Sequence, residues 1–169
     1  LDVVRVRFQN VYGPGEILGA GQWRGTPHTV WRNVIPTFIW KAIKGEELVI
    51  FGDGSAGRDF VYVNDLAVGV INAFENGKSG EVYNIGGGRE LNNIKITHLI
   101  LEAMETDESS IEYVEDRKGH DLRYSVDWTK INHELGYEPQ INFEDGLRET
   151  IDLYRNNSEW WKEVKNGSR

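Results

Sequence analysis

Two arginines sit beside glycine in polar stretches of this chain, Gly57-Arg58 and Arg117-Lys118-Gly119. A guanidinium is permanently charged and presents a planar fork of donors that matches phosphate oxygens. Two such forks could clamp a diphosphate. Asn10 lies just past an apolar strand pattern, and ligands of open α/β sheets bind beyond the C-terminal ends of strands. Its side-chain amide could donate to the same ligand. His120, inside the charged run Asp116-Arg117-Lys118-Gly119-His120-Asp121, is a candidate for a further contact. Each has a plain alternative. Arg58 could pair with Asp59 at the surface, and Arg117 with Asp121, and the sequence would read the same.

Other chemistries find less support. The four histidines, at 28, 98, 120 and 133, show no metal-ligand spacing. His98 and His133 fall in helix patterns as packing or surface residues. No serine sits in a nucleophile elbow, and Asp116 and Asp121 do not form an evident acid–base pair. Gly86-Gly87-Gly88 resembles a phosphate cradle but lacks the lysine and following Ser/Thr of a P-loop. It reads instead as backbone passing close to another segment. With no cysteine, a disulfide framework and thiolate metal sites are excluded.

Composition narrows the class. The chain has 169 residues, 39% hydrophobic and 27% charged, enough for one folded domain with a core. Its net charge of −8 argues against nucleic acid as partner, and an anionic ligand would need a local basic pocket. No apolar run approaches the roughly 20 residues of a membrane span. The expected setting is therefore cytoplasmic, with no membrane partner. The first residue is Leu1, and a strand pattern begins at once. That start suggests a piece of a longer protein, because an isolated strand needs neighbours.

The positioning elements follow from pattern. Val3–Phe8 predicts a strand, stopped by the loop Asn10–Gly15. A long loop, Glu16–Arg32, carries Trp23, Arg24, His28, Trp31 and Arg32 and is expected to act as a lid. Asn33 is the expected cap of a helix over 34–44, closed by Gly45. A strand over 47–51 leads into the glycine turn that carries Arg58, and Phe60–Val63 predicts the next strand. Asn64 or Asp65 is the expected cap of a helix through Ala67, Val70, Ile71 and Phe74. A strand over 81–85, a helix capped by Thr97, a strand over 110–114, a helix capped by Asp127 and a final helix over 143–154 complete the series. Strands alternate with helices, so the fold class is α/β.

Several of these motifs resemble one family. Arg7-Phe8-Gln9-Asn10-Val11-Tyr12-Gly13-Pro14 resembles the RxxNxYGP motif of extended short-chain dehydrogenases that act on nucleotide sugars. Gly57-Arg58-Asp59-Phe60-Val61-Tyr62-Val63 with Asp65 resembles their RDFVYVxD motif, and Tyr83-Asn84-Ile85-Gly86 their YNIG strand. Asp116–Asp121 with Arg123 and Tyr124 is similar to the DRPGHDRRY segment of the dTDP-glucose 4,6-dehydratases in that family. Asp127–Ile131, Leu135-Gly136-Tyr137, Pro139, Gly146-Leu147 and Thr150 continue the pattern.

The resemblance implies that residues 1–169 form a single fragment. It would be a C-terminal substrate-binding lobe plus the last strands of a Rossmann-type parallel sheet, with the N-terminal Rossmann half absent. That half would carry the glycine-rich NAD loop and the Tyr-x-x-x-Lys pair, which this chain lacks, and would hold most of the NAD. Asn10, Arg58 and Arg117 would contact a nucleotide-diphospho-sugar, with His120 and Asn84 in the substrate site and Phe8 near the nicotinamide. The whole parent would be a homodimer, and this chain alone would not turn over. The charged loop favours a 4,6-dehydratase, whereas the long Glu16–Arg32 loop departs from that subgroup and leaves an epimerase open. A non-catalytic binding or assembly module sharing the fold is the other reading.

Overall fold

A computed structural model of the chain describes residues 2–16 and 33–160. The expected lid loop lies almost wholly outside the described residues. Strand β1 (Arg5–Phe8) pairs in parallel with β6 (Val82–Ile85), Phe8 opposite Ile85. Two further parallel pairs join β2 (Val11–Tyr12) to β5 (Val61–Tyr62) and β3 (Leu48–Phe51) to β8 (Ile111–Val114). β4 (Gly57–Asp59) runs between β7 (Glu90–Asn92), antiparallel, and β9 (Arg123–Tyr124), parallel. Parallel pairs need crossovers, and helices supply them: α1 (Val34–Lys44), α2 (Val63–Asn76), α3 (Asn93–Ala103), α4 (Thr129–Leu135) and α5 (Phe143–Asn156). The class is α/β, as the alternation predicts.

Helix ends show where local signals held and where packing prevailed. Gly45 closes α1 in the left-handed conformation, φ 67°, its N–H bonded to the Ala42 carbonyl. α2 starts earlier than expected, at Val63 directly after β5, with no side-chain cap. Neither Asn64 nor Asp65 caps it. Asp65 is buried instead and accepts the backbone N–H groups of Gln140 and Ile141, both at 3.0 Å. This pins the segment leading into α5 against α2. α3 is capped by Asn92, which accepts the Lys95 N–H at 3.0 Å. Thr97, the expected cap, is buried inside that helix and donates its hydroxyl to the Asn93 carbonyl. Asp127, the expected cap of α4, lies one residue before the N-cap position, which Trp128 takes without a side-chain bond, and accepts the Thr129 N–H at 2.9 Å.

The core has two parts. In the larger, α1, α3 and α5 pack around Tyr12, Phe60, Tyr62 and Phe143, with the Tyr12 and Phe143 rings 4.9 Å apart. Leu147, Thr150, Ile151 and Tyr154 of α5 are all buried, as their helical spacing predicts. Close approach of α5 requires Gly146, where a Cβ would lie 2.6 Å from the Tyr62 ring. The smaller part joins Val61, Ala73, Tyr83, Ile85, Ile131 and Tyr137. Here α2 buries Gly69 and Ala73, whereas Ile71 and Phe74, expected on its apolar face, are exposed. Small residues win that face because α2 lies close over β6: a Cβ on Gly69 would sit 2.9 Å from Ile85.

Candidate functional site

Four of the residues singled out by type meet at one cavity of about 120 Å³: Asn10, Arg58, Arg117 and His120. Glu16, Asn33 and Asn93 join them, and Tyr12, Ile35 and Phe60 form apolar wall. Arg58 stands on β4 rather than in the glycine turn, opposite Leu91 on one side and Tyr124 on the other. A strand between two neighbours fixes its backbone more firmly than a loop would. Nη1 donates to the Gly57 carbonyl at 2.7 Å, and among the described residues the guanidinium makes no ion pair. The surface pair with Asp59 is absent. Asp59 is 4% exposed, and the backbone N–H groups of Gly87 and Arg89 donate to its carboxylate. Burial outweighs those bonds and pushes its carboxyl up to about 6.

Arg117 is held by a short chain of contacts. Its guanidinium lies 4.8 Å over the Phe51 ring, and Nη2 is 3.0 Å from Nε2 of His120. Nδ1 of His120 lies 2.7 Å from the Asp116 carboxylate. An arginine can only donate, so Nε2 must carry the lone pair and Nδ1 the hydrogen. The His120 side chain, 5% exposed, therefore relays the orientation of Asp116 to Arg117. The hydrogen bond from His120 is the main reason the Asp116 carboxyl lies below its ordinary range. Arg117 thus partners His120, not Asp121.

Asn10 adopts the left-handed region, φ 43°, uncommon for a residue other than glycine. Its side-chain amide donates to the Asp59 carbonyl at 3.0 Å, and its own carbonyl accepts the Val61 N–H. It therefore ties the end of β1 to the strand of Arg58 while it lines the cavity. Asn84 is not among the lining residues; on β6, it donates to the Asp127 carbonyl at 2.9 Å. Phe8 ends β1 half-exposed, also off the cavity.

Glu16, Asn33 and Asn93 are the lining residues that the sequence did not single out as site residues. Asn33 sits at the N-cap position of α1, but its side chain makes no cap bond and donates instead to the Glu16 carboxylate. Val34 and Ile35 of the first turn line the cavity, and that turn holds no acidic residue. The positive end of the α1 dipole therefore adds to the two guanidinium charges. Burial pushes the Glu16 carboxyl up to about 7, against the lowering effect of the Asn33 hydrogen bond.

The glycine segments serve packing. Gly52-Asp53-Gly54-Ser55-Ala56-Gly57 has the spacing of a dinucleotide loop, but it runs from β3 into β4, strand to strand, with no helix opening after it. At Gly52 a Cβ would meet Asp116 at 3.1 Å, so the turn lets the charged loop approach. At Gly87 a Cβ would fall 1.7 Å from the Phe60 carbonyl oxygen, the close passage expected of the glycine triplet. Among the described residues no cluster of His, Asp and Glu could hold a metal ion, and no helix is long and apolar enough to cross a membrane.

The description of the NAD dependent epimerase/dehydratase family matches residues 1–86. The chain belongs to this family. It is 42% identical over 161 residues to a dTDP-glucose 4,6-dehydratase from an Actinoplanes species, covering 95% of this chain and 46% of that protein. DesIV, the dTDP-glucose 4,6-dehydratase of Streptomyces venezuelae solved with NAD bound, superposes with a TM-score of 0.84 at 41% identity, over 97% of this chain and 47% of that one. The Bordetella bronchiseptica enzyme WbmF, solved with NAD+ and UDP, gives a TM-score of 0.83 at 42% identity, over 99% and 49%. The chain thus spans about half the length of the family members it matches. The NAD of the family finds no dinucleotide loop among the described residues.

Proposed function

We propose that the cavity between Arg58 and Arg117 binds the diphosphate of a nucleotide-diphospho-sugar. In this reading the chain is the substrate-binding part of an NAD-dependent nucleotide-sugar 4,6-dehydratase or epimerase. The observation that carries it is the meeting of Arg58 and Arg117, distant in sequence, at one cavity in a chain of net charge −8. A local concentration of cations against that background marks an anion site. Arg58 brings a guanidinium that pairs with no carboxylate among the described residues. Arg117 brings one oriented by His120 and backed by Phe51. Asn10 lines the same cavity and donates to the Asp59 carbonyl on the strand of Arg58. The similarity to dTDP-glucose 4,6-dehydratases and to an enzyme solved with UDP supports the ligand class.

These residues supply binding energy and orientation, not the proton or hydride transfer. Residues 1–169 on their own therefore bind without turnover, and robust dehydratase or epimerase activity from them would refute that division. The absence of a Tyr-x-x-x-Lys pair from the sequence keeps a second reading, a binding module without chemistry. The central test is calorimetry with dTDP-, UDP- and CDP-sugars on the wild-type chain and Arg58→Ala. A charge-assisted hydrogen bond to a desolvated phosphate contributes about 1.5–3 kcal/mol, so the variant should bind roughly ten- to a hundredfold more weakly. Equal affinity for every sugar nucleotide bound would remove Arg58 from the site.

A further inference from the structure

The cavity is not uniformly basic. Glu16 enters it from the loop after β2, beside the N-terminus of α1. One of its carboxylate oxygens accepts from the Asn33 amide. The other, Oε2, is buried and has no hydrogen-bond partner among the described residues. Two arginines line the same cavity, yet neither forms an ion pair with Glu16. Its backbone is pinned on both sides, the N–H to the Gly13 carbonyl at 3.3 Å and the carbonyl to the Tyr154 hydroxyl at 3.1 Å. Asn33 forgoes a helix cap in order to hold it. A buried acceptor without a donor is costly and uncommon in native structures, and such groups mark places where something else is meant to bind.

We propose that Glu16 is the hydroxyl-binding residue of this site, with Oε2 accepting an O–H of the ligand whose diphosphate the arginines hold. The inference rests on the diphosphate reading above. A carboxylate only accepts, so it repels phosphate and needs a donor. On a nucleotide sugar the neutral donors offered in number are hydroxyls, on the ribose or on the hexose. The site then divides its labour: guanidinium forks and the α1 terminus take the phosphates, and Glu16 takes a hydroxyl at a fixed distance from them. Its raised carboxyl range places the ionised acceptor at mildly alkaline pH.

Calorimetry at about pH 8 separates the possibilities. The ligands are inorganic pyrophosphate, UDP or dTDP, and the glucose ester of whichever nucleotide binds better. The proteins are wild type, Glu16→Ala and the isosteric Glu16→Gln. Loss of a charge-assisted hydrogen bond should weaken the hydroxyl-bearing ligands roughly ten- to a hundredfold in Glu16→Ala, and less in Glu16→Gln, which keeps one neutral acceptor. Pyrophosphate, which has no sugar hydroxyl, should bind unchanged or slightly tighter. A loss confined to the sugar ester assigns the hydroxyl to the hexose, and a loss shared with the free nucleotide assigns it to the ribose. Unchanged affinity for both overturns the inference, as does an equal loss for pyrophosphate, which would mean general collapse of the cavity. If the wild type binds none of the three, the diphosphate reading itself fails, and Glu16 with it.

Discussion

Asp59 ties the strand of Arg58 to the glycine turn after β6, and its burial gives the fold a measurable pH signature. Its carboxyl is 4% exposed and is pushed from an ordinary value of 3.8 up to about 6. Burial dominates, the Glu90 charge adds to it, and the N–H groups of Gly87 and Arg89 oppose it. As pH rises the unfolded chain loses this proton first, while the native chain still holds it. The native state then binds more protons than the unfolded one, so stability from this group falls between those two values. The loss is complete above about 6. Roughly two pKa units at 1.36 kcal/mol each give about 3 kcal/mol. Asp59→Asn abolishes the titration and keeps the shape. Urea denaturation of both proteins, in steps between about pH 4 and pH 7, isolates the group, because other carboxyls cancel in the difference. Relative to Asp59→Asn, the wild type should lose about 3 kcal/mol across that range. A flat difference, or one that moves in favour of the wild type as pH rises, would refute the assignment of burial as the dominant cause.

Asp65→Ala removes the acceptor of two part-buried N–H groups, those of Gln140 and Ile141. At about 1–3 kcal/mol each, the variant should lose about 2–6 kcal/mol of stability in urea, and Asp65→Asn, which can still accept one, should lose less. His120→Phe removes the acceptor that orients Arg117. A double-mutant cycle with Arg117→Ala, read as affinity for a nucleotide sugar, should give a coupling of about 0.5–3 kcal/mol, and additive losses would mean that His120 does not position the arginine.

Local rules reached far in this chain. The apolar spacing of α5, the left-handed Gly45 and the strand ending at Val114 depend on a few neighbouring residues, and the structure follows them. The motifs also sufficed for the family, since RxxNxYGP and RDFVYVxD are local strings. What failed depended on partners that a residue's type and position alone do not reveal. β4 is three residues long, too short to show alternation, and exists because β7 and β9 flank it. Thr97 resembled a cap until Asn92, one residue before α3, took that place.

The residue types gave the chemistry available: two guanidinium forks, an amide and an imidazole, in an acidic chain without cysteine. Whether Arg58 and Arg117 pair with the carboxylates next to them in sequence was decided by tertiary structure. Asp59 turned inward to meet Gly87 and Arg89, and His120 came between Arg117 and Asp116. Glu16 carried no signal at all, because an unpartnered buried oxygen is a property of what packs around it. Sequence sets which groups can ionise or donate; burial and the competition among partners, which are sums over the whole fold, decide which of them remain available to bind.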